Sequence, residues 1–266
     1  MGDYETGMSW GTRLVQSTVS RLGYGGWDLS GHPTPEGPHF VYDGADLFLG
    51  RTGSGPLVIA WDTGLLIDYL EFGKVLWEGE SLPNAVQGEY GEELEALQVV
   101  IAVWVIRDVR FRLLSRTRTD AKRSLSGERQ QERYRALVEF ASALSLAASE
   151  DDDVRERTPL VLPPKAIDEI LLRVPAGADR DLVRAAIAVG AHVFLTRDRR
   201  VLRAAPFLRP TGTLITSPGG LLEQLAACGA LHCVVDPRNH AYWPFPDLDR
   251  VAHLVHALGL PHDQRR

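Results

Sequence analysis

Two short segments of this chain are apolar at almost every position, and an aspartate follows each of them. The first segment covers residues 57–61 and directly precedes Asp62, whereas the second covers 192–196 and ends shortly before Asp198. Strands that are apolar on both faces are typical of a parallel sheet covered by helices. Ligands of such sheets bind outside the carboxyl ends of the strands. The two aspartates are therefore predicted to meet at one site.

The rest of the chain alternates between strand and helix patterns, which indicates an α/β fold with a mainly parallel sheet. Two more strands are predicted, over 109–114 and 213–216. Helices are predicted from near Leu65 and over 91–108, 117–148, 165–173, 180–189, 219–227 and 247–258. We expect a main domain over 55–228, an N-terminal extension over 1–54 and a C-terminal tail over 229–266.

Composition limits the classes of protein that this chain can form. Its 266 residues are 44% hydrophobic, which is enough to bury a core, and its net charge of −6 excludes a basic nucleic-acid coat protein. Cys228 and Cys233 form neither a disulfide framework nor a zinc-ligand set, which fits a reducing cytoplasm. No signal peptide is visible, and the longest apolar run, 99–106, is far shorter than the ~20 residues that span a membrane. We therefore expect a cytoplasmic protein with no membrane partner.

The two strand-end aspartates also have structural interpretations. Asp62 could cap the helix that follows it, and Asp198 could stabilise a turn. For Asp62, capping and metal binding do not exclude each other. Two carboxylates without a partner repel each other, so the natural occupant of a shared site is a hard divalent cation such as Mg²⁺ or Mn²⁺. We therefore predict that both side chains are metal ligands.

A further pair of acids lies near the start of helix 180–189. Asp179 shares a helix face with the apolar positions 182, 183 and 186, which is the face expected to be buried. Asp181 is predicted to form a solvated ion pair with Arg184, three residues later. Asp179 is therefore the better candidate ligand and Asp181 the next. The alternative for Asp179 is helix capping alone.

A fourth acid, Asp120, follows the strand predicted over 109–114, with Asp108 and Glu128 as rivals in the same region. The stretch 107–135 carries nine arginines, so its local charge is positive within an acidic protein. A basic face beside an acidic pocket suits a polyanion that is cut at a metal site. The alternative is a solvated helix whose charges pair with each other.

Five short stretches of the chain resemble motifs of the PIN-domain nuclease superfamily. One is Asp62-Thr63-Gly64-Leu65-Leu66 after the first strand, and another is Ser115 followed five residues later by Asp120. The others are Asp179 opening an Ala-rich helix that ends in Gly190-Ala191, then Leu195-Thr196-Arg197-Asp198, then 217–222. The resemblance covers roughly residues 55–228 and is closest to the toxin-type PIN ribonucleases, although this chain is longer.

The resemblance implies a three-layer α/β/α fold and a hydrolase activity, that of a Mg²⁺- or Mn²⁺-dependent endoribonuclease. It implies RNA as a partner, and a protein inhibitor or a second copy of the chain as further candidates. The implied catalytic residues are Asp62, Asp120, Asp179 and Asp198, and the implied metal ligands are Asp62, Asp179, Asp181 and Asp198. Candidate substrate-binding residues are Thr63, Thr196, Arg197, Arg116 and Arg118.

Two other functions are compatible with the sequence. A phosphatase of the haloacid-dehalogenase type also places an aspartate after its first strand, but it needs a second aspartate where this chain has Gly64. A non-catalytic α/β binding module, a degenerate PIN-like fold, would use the acids only as helix caps and ion pairs. In that case a divalent metal would change nothing.

Overall fold

The structure of the protein is a computed structural model, and it describes residues 57–78, 82–106, 109–114, 116–117 and 162–227. Within these residues the fold is α/β, as predicted. The N-terminal extension 1–54, the tail 229–266 and nearly all of the predicted helix 117–148 lie outside the described residues. Asp120 and Arg118 lie outside them as well.

The described elements follow the predicted alternation of strands and helices. The strands are β1 (Leu57–Trp61), β2 (Val109–Arg112), β3 (Val193–Leu195) and β4 (Leu214–Thr216). The helices are α1 (Thr63–Glu78), α2 (Glu89–Ile106), α3 (Pro164–Leu171), α4 (Ala178–Ala188), α5 (Arg199–Leu202), α6 (Ala205–Leu208) and α7 (Pro218–Ala227). Two short 3₁₀ turns cover Asn84–Val86 and Arg209–Thr211.

The four strands form one sheet in the order β2-β1-β3-β4, and every neighbouring pair is parallel. The register places Trp61 beside Leu195 and Ile59 beside Val193. The chain leaves β1 for β2 on one side and later reaches β3 and β4 on the other, so the strand order reverses between β1 and β3. A crevice at the carboxyl ends of the strands is expected at such a switch point. Asp62 and Asp198 follow the two strands that border it.

The central strand is apolar because both of its faces are buried. All five residues of β1 are buried, and Val58 and Ala60 belong to a core cluster with Leu182 and Val183 of α4. His192, just before β3, extends the pairing, because its backbone N–H donates to Val58 O and its Nδ1 accepts from Val58 N, both at 2.9 Å. These contacts fix β3 beside β1 and therefore fix the relative position of the two strand ends.

Most predicted boundaries differ from the observed ones by about two residues. Helix α1 begins at Thr63 rather than near Leu65, and α4 begins at Ala178 rather than at residue 180. Gly190 follows the end of α4 with a φ of 68°, a left-handed conformation that glycine adopts without steric cost. In the described part of the chain, none of the helices has the length and apolar character needed to cross a membrane.

Candidate functional site

Asp62 occupies the junction between β1 and α1. Its backbone N–H donates to the carbonyl of Leu195 at 2.9 Å, and its own carbonyl accepts from Leu66 N at 3.3 Å in the first turn of α1. Its carboxylate accepts from the backbone N–H groups of Thr63 and Gly64. Asp62 therefore caps α1, and its position is fixed by the neighbouring strand.

Thr196 connects the two aspartates that follow the central strands. Its Oγ1 donates to Asp62 Oδ2 at 2.7 Å and accepts from the backbone N–H of Asp198 at 3.0 Å. The residue is fully buried, and its backbone N–H donates to the carbonyl of Thr216 on β4 at 3.0 Å. One hydroxyl therefore fixes the carboxylate at the end of β1 relative to the loop that follows β3.

The pKa of the Asp62 carboxyl is raised above its usual value, chiefly because burial disfavours the charged form. The hydrogen bonds from Thr196 and from the backbone of Thr63 oppose this shift, and the negative charge of Asp179 adds to it. The carboxylates of Asp62 and Asp179 thus lie close enough to repel each other, although they belong to different elements. A site that raises the pKa of one acid by burial and by a second acid favours a bound cation.

Asp198 caps the short helix α5. Its Oδ1 accepts from the backbone N–H of Arg200 at 2.7 Å, and its Oδ2 lies 3.3 Å from Arg200 Nη2. Burial raises the pKa of the Asp198 carboxyl, but the hydrogen bonds and the charge of Arg200 outweigh that effect, so the pKa is lowered overall. The structural alternative for Asp198 was the stabilisation of a turn. The structural role that is observed is the capping of a helix.

Asp179 lies in the first turn of α4, and Arg200 joins it to Asp198. The distance from Arg200 Nη2 to Asp179 Oδ2 is 3.8 Å. Helix α4 has Gly177, with a φ of 103°, at its N-cap, so Asp179 is not the capping residue. The charge of Asp62 repels that of Asp179. The guanidinium of Arg200 attracts both Asp179 and Asp198. The three acids therefore belong to one electrostatic cluster, here called the acidic cluster.

The predicted ion pair between Asp181 and Arg184 is wrong. Asp181 pairs with Arg116, and Arg184 pairs with Asp168 of α3 at 3.2 Å. Asp181 and Arg184 each pair with a residue outside α4, so the spacing of residues along α4 alone could not reveal these partners. The facial argument for Asp179 is supported, because the side chain of Asp181 is 52% exposed and that of Asp179 only 29%.

The donor chemistry of the acidic cluster suits a hard cation, since carboxylate oxygens are the ligands that Mg²⁺ and Mn²⁺ prefer. The buried hydroxyl of Thr63 adds an oxygen that has no hydrogen-bond partner among the described residues. As the side chains stand, however, the described residues include no group of three or more His, Cys, Asp or Glu that could hold a metal ion. The guanidinium of Arg200 pairs with two of the three acids, so a cation at this place would have to replace it.

Comparison with known proteins adds no family to this geometry. No protein-family model, curated protein or solved structure matches the chain. The resemblance to the PIN-domain superfamily therefore stays a prediction, and so do the nuclease activity, the metal and the RNA partner that it implies.

Arg197, predicted to bind substrate, is held by a contact that sequence patterns did not reveal. Its Nη2 pairs with Asp68 of α1, and its guanidinium carbon lies 4.2 Å from the ring centre of Tyr90 on α2. Tyr90 Oη in turn donates to Asp68 Oδ1 at 2.7 Å. Burial, and then the hydrogen bond and charge of Asp68, raise the pKa of Tyr90 to about 12. This clamp of Asp68, Tyr90 and Arg197 fixes the loop between Thr196 and Asp198 against two helices.

One sequence signal could have revealed the clamp. Asp68 is 7% exposed and lies on the buried face of α1 beside Leu65 and Tyr69. A carboxylate on an apolar helix face needs a partner, because an unpaired buried charge is costly. The sequence pattern of α1 therefore shows that Asp68 needs a partner, but it does not show that Tyr90 and Arg197 are the partners.

A second missed acid is Glu93 of α2, which binds the N-terminus of α7. Its Oε1 accepts from Ser217 Oγ at 2.7 Å, and its Oε2 accepts from the backbone N–H of Gly219 at 2.9 Å. A Cβ at position 219 would lie 3.2 Å from Glu93 Oε1, so glycine allows this close approach. Both carboxylate oxygens are engaged, and Glu93 therefore stabilises the turn after β4.

We expect Asp68→Ala to destabilise the protein by about 2–4 kcal/mol, because it leaves Arg197 without its buried partner. Tyr90→Phe is the matched control: it keeps the ring under the guanidinium and removes one hydrogen bond, at a cost of about 1 kcal/mol. Urea unfolding of the three proteins measures both differences. Equal stability of Asp68→Ala and the parent would mean that the clamp contributes nothing.

Proposed function

We propose that the protein is a metal-dependent endoribonuclease, a hydrolase that cleaves RNA phosphodiester bonds at the acidic cluster. The observation that carries this proposal is the convergence of Asp62, Asp179 and Asp198 at the strand-order reversal between β1 and β3. Two contacts support the convergence: the Thr196 hydroxyl between Asp62 and Asp198, and the Arg200 guanidinium between Asp179 and Asp198.

We also propose a three-layer α/β/α arrangement of the PIN type for the main domain. Successive residues of a strand point to opposite faces of the sheet. Val58 and Ala60 pack in the cluster that contains Leu182, whereas Trp61 stacks edge-on against Tyr69 of α1, with ring centres 6.1 Å apart. Helices on both faces of a parallel sheet support this arrangement.

In this proposal Asp62, Asp179 and Asp198 hold Mg²⁺ or Mn²⁺, with Asp120 as a further ligand directly or through water. The bound cation would activate a water molecule for in-line attack on the phosphodiester and stabilise the leaving oxygen. Thr196 keeps Asp62 Oδ2 in a fixed orientation. The cation requires Asp62 in its ionised form, which burial disfavours, so metal binding is expected to release a proton near the raised pKa.

RNA is the substrate that the surrounding charge supports. Arg116, on the segment after β2, pairs with the exposed Asp181, which lies in the first turn of α4, two residues after Asp179. Thr117 Oγ1 donates to the carbonyl of Trp61 at 3.2 Å, so this part of the basic stretch 107–135 is attached to the end of β1. A phosphate group bound by Arg116 would lie close to the acidic cluster.

Cleavage of a labelled single-stranded RNA tests the proposal. The purified protein should cut it with Mg²⁺ or Mn²⁺ and stop when EDTA is added. Cleavage that persists in excess EDTA would contradict a metal-dependent mechanism. Hydrolysis of a small phosphate monoester without RNA cleavage would point instead to a phosphatase.

One observation favours a second candidate, the non-catalytic binding module. Asp62 and Asp198 both cap helices, so each has a structural role that needs no metal. If this is their whole role, divalent cations should change neither the melting temperature nor the binding of RNA.

We expect Arg116→Ala to weaken the salt dependence of RNA binding. Each phosphate contact on a single strand contributes about −0.7 to the slope of log K against log salt, so the slope should become shallower by about that amount. Arg184→Ala is the control, because Arg184 is an exposed arginine that pairs with Asp168 of α3 and not with Asp181. Fluorescence anisotropy in EDTA keeps the RNA intact. Equal slopes in the parent and Arg116→Ala would mean that this arginine does not contact RNA.

A further inference from the structure

In the part of the chain that the structure describes, Arg200 is the cation that pairs with two acids of the acidic cluster. Its Nη2 lies 3.3 Å from Asp198 Oδ2 and 3.8 Å from Asp179 Oδ2. The two acids belong to different helices, α5 and α4, so a single guanidinium group joins the two elements. Its side chain is 64% exposed, so it can leave this position without crossing a packed core.

The charges of the cluster show what Arg200 does there. The pKa of Arg200 is raised first by its hydrogen bond with Asp198, then by the charges of Asp198 and Asp179. The hydrogen bonds that the described residues donate to the Asp62 carboxylate come from Thr196 and from the backbone of Thr63 and Gly64, all neutral groups, and the charge of Asp179 raises its pKa further. Among the described residues, the three carboxylates of the cluster outnumber the one guanidinium that pairs with them, and a divalent cation can neutralise more of this charge than one arginine can.

We infer that Arg200 is an internal counter-ion that competes with the divalent cation for Asp179 and Asp198, and that metal binding displaces it. This inference rests on the proposed function. Arg200 now pairs with two of the three acids, so both of these carboxylates would have to release it to bind a cation. The displaced guanidinium stays next to Asp198 in sequence and so remains at the edge of the site.

The inference predicts opposite effects of one substitution in the presence and absence of metal. Arg200→Gln removes the competitor, so Mn²⁺ should bind about three- to tenfold more tightly, as expected for the loss of two exposed ion pairs. Without metal the same variant loses its counter-ion, so it should melt at or below the temperature of the parent. A variant that merely damaged the fold would weaken both properties.

Arg199→Gln is the matched control. Arg199 is the neighbouring residue, it is more exposed than Arg200, and it pairs with Glu89 rather than with the cluster. Its loss changes the net charge by the same amount, so any general electrostatic effect on Mn²⁺ binding appears in both variants. The competition is measured by how much more Arg200→Gln than Arg199→Gln increases the affinity for Mn²⁺.

Isothermal titration of Mn²⁺ into the full-length parent, Arg200→Gln, Arg199→Gln and Asp62→Asn tests the inference. Tighter binding by Arg200→Gln alone supports it, whether or not the protein cleaves RNA. Equal binding by the parent, Arg200→Gln and Arg199→Gln, with weaker binding by Asp62→Asn, would overturn the inference and leave the proposed metal site in place. If the parent does not bind Mn²⁺, or binds it no more tightly than Asp62→Asn does, the proposed metal site and the inference both fail.

Discussion

Asp179→Asn is expected to reduce cleavage of single-stranded RNA by at least about 100-fold, whereas Asp181→Asn should keep activity within about threefold of the parent. Loss of a group that only supports a metal ligand already costs about 10–100-fold in affinity or activity, so loss of a ligand should cost at least as much. Asp181 is an exposed partner of Arg116, and pairs of that kind contribute little.

The comparison is well controlled because the two acids are two residues apart in the same helical turn. Both substitutions remove one negative charge near the N-terminus of α4, so their effects on the helix dipole are similar. Initial rates of RNA cleavage in saturating Mg²⁺ give the result. An inactive Asp181→Asn beside an active Asp179→Asn would show that the wrong face of α4 had been assigned to the site.

Asp62→Asn is expected to be at least as stable as the parent without metal, and to lose most of the stabilisation that Mn²⁺ gives. Asparagine caps a helix about as well as aspartate and removes the charge that burial and Asp179 disfavour. A ligand at 100 times its Kd stabilises the parent by about 2.7 kcal/mol. If Asp62 were only a cap, thermal melting would give the same Mn²⁺ response in both proteins.

The pH dependence of this difference has a definite sign. Because the pKa of Asp62 is raised above 3.8, the folded protein keeps a proton that the unfolded chain releases. The stability of the parent relative to Asp62→Asn therefore falls as pH rises from about that value through the raised pKa, and the full cost is present above the raised pKa. Urea unfolding at several pH values measures it.

Asp198→Asn is the control with the opposite sign. The pKa of Asp198 is lowered, so this carboxylate stabilises the metal-free fold above its usual pKa, and the stabilisation is lost as pH falls through the lowered value. Asp198→Asn should therefore be less stable than the parent at neutral pH. The same direction of change in both variants would mean that the two acids do not occupy the different environments described here.

The strands of the sheet and the helices that follow them could be predicted because their sequence signals are local. The apolar run before Asp62, the glycine at position 190 and the run before Thr196 each lie within the element that they define. The parallel direction of the strands could be predicted from the same apolar runs, since a strand that is buried on both faces needs helices on both sides of the sheet. Asp62 and Asp198 could be placed at one edge for that reason alone.

The contacts between elements could not be predicted in the same way. Tyr90 and Asp68 are 22 residues apart in sequence, and Arg197 and Asp68 are 129 apart. The partner of Asp181 lies 65 residues away, on the segment after β2, whereas the prediction chose Arg184, three residues later on the same helix. Side chains on helix surfaces pair with whatever element packs beside them, and periodicity within one helix contains no information about that element.

Direct titration of Mn²⁺ into the metal-free protein tests the central claim, that Asp62, Asp179 and Asp198 form a site for a divalent cation. At a pH near the raised pKa of Asp62 the parent should bind Mn²⁺ with release of protons, and Asp62→Asn should bind at least about tenfold more weakly because it lacks one ligand. Calorimetry in two buffers of different ionisation enthalpy measures the affinity and the protons released together. An identical isotherm for the parent and Asp62→Asn, or no binding by either, would contradict the claim.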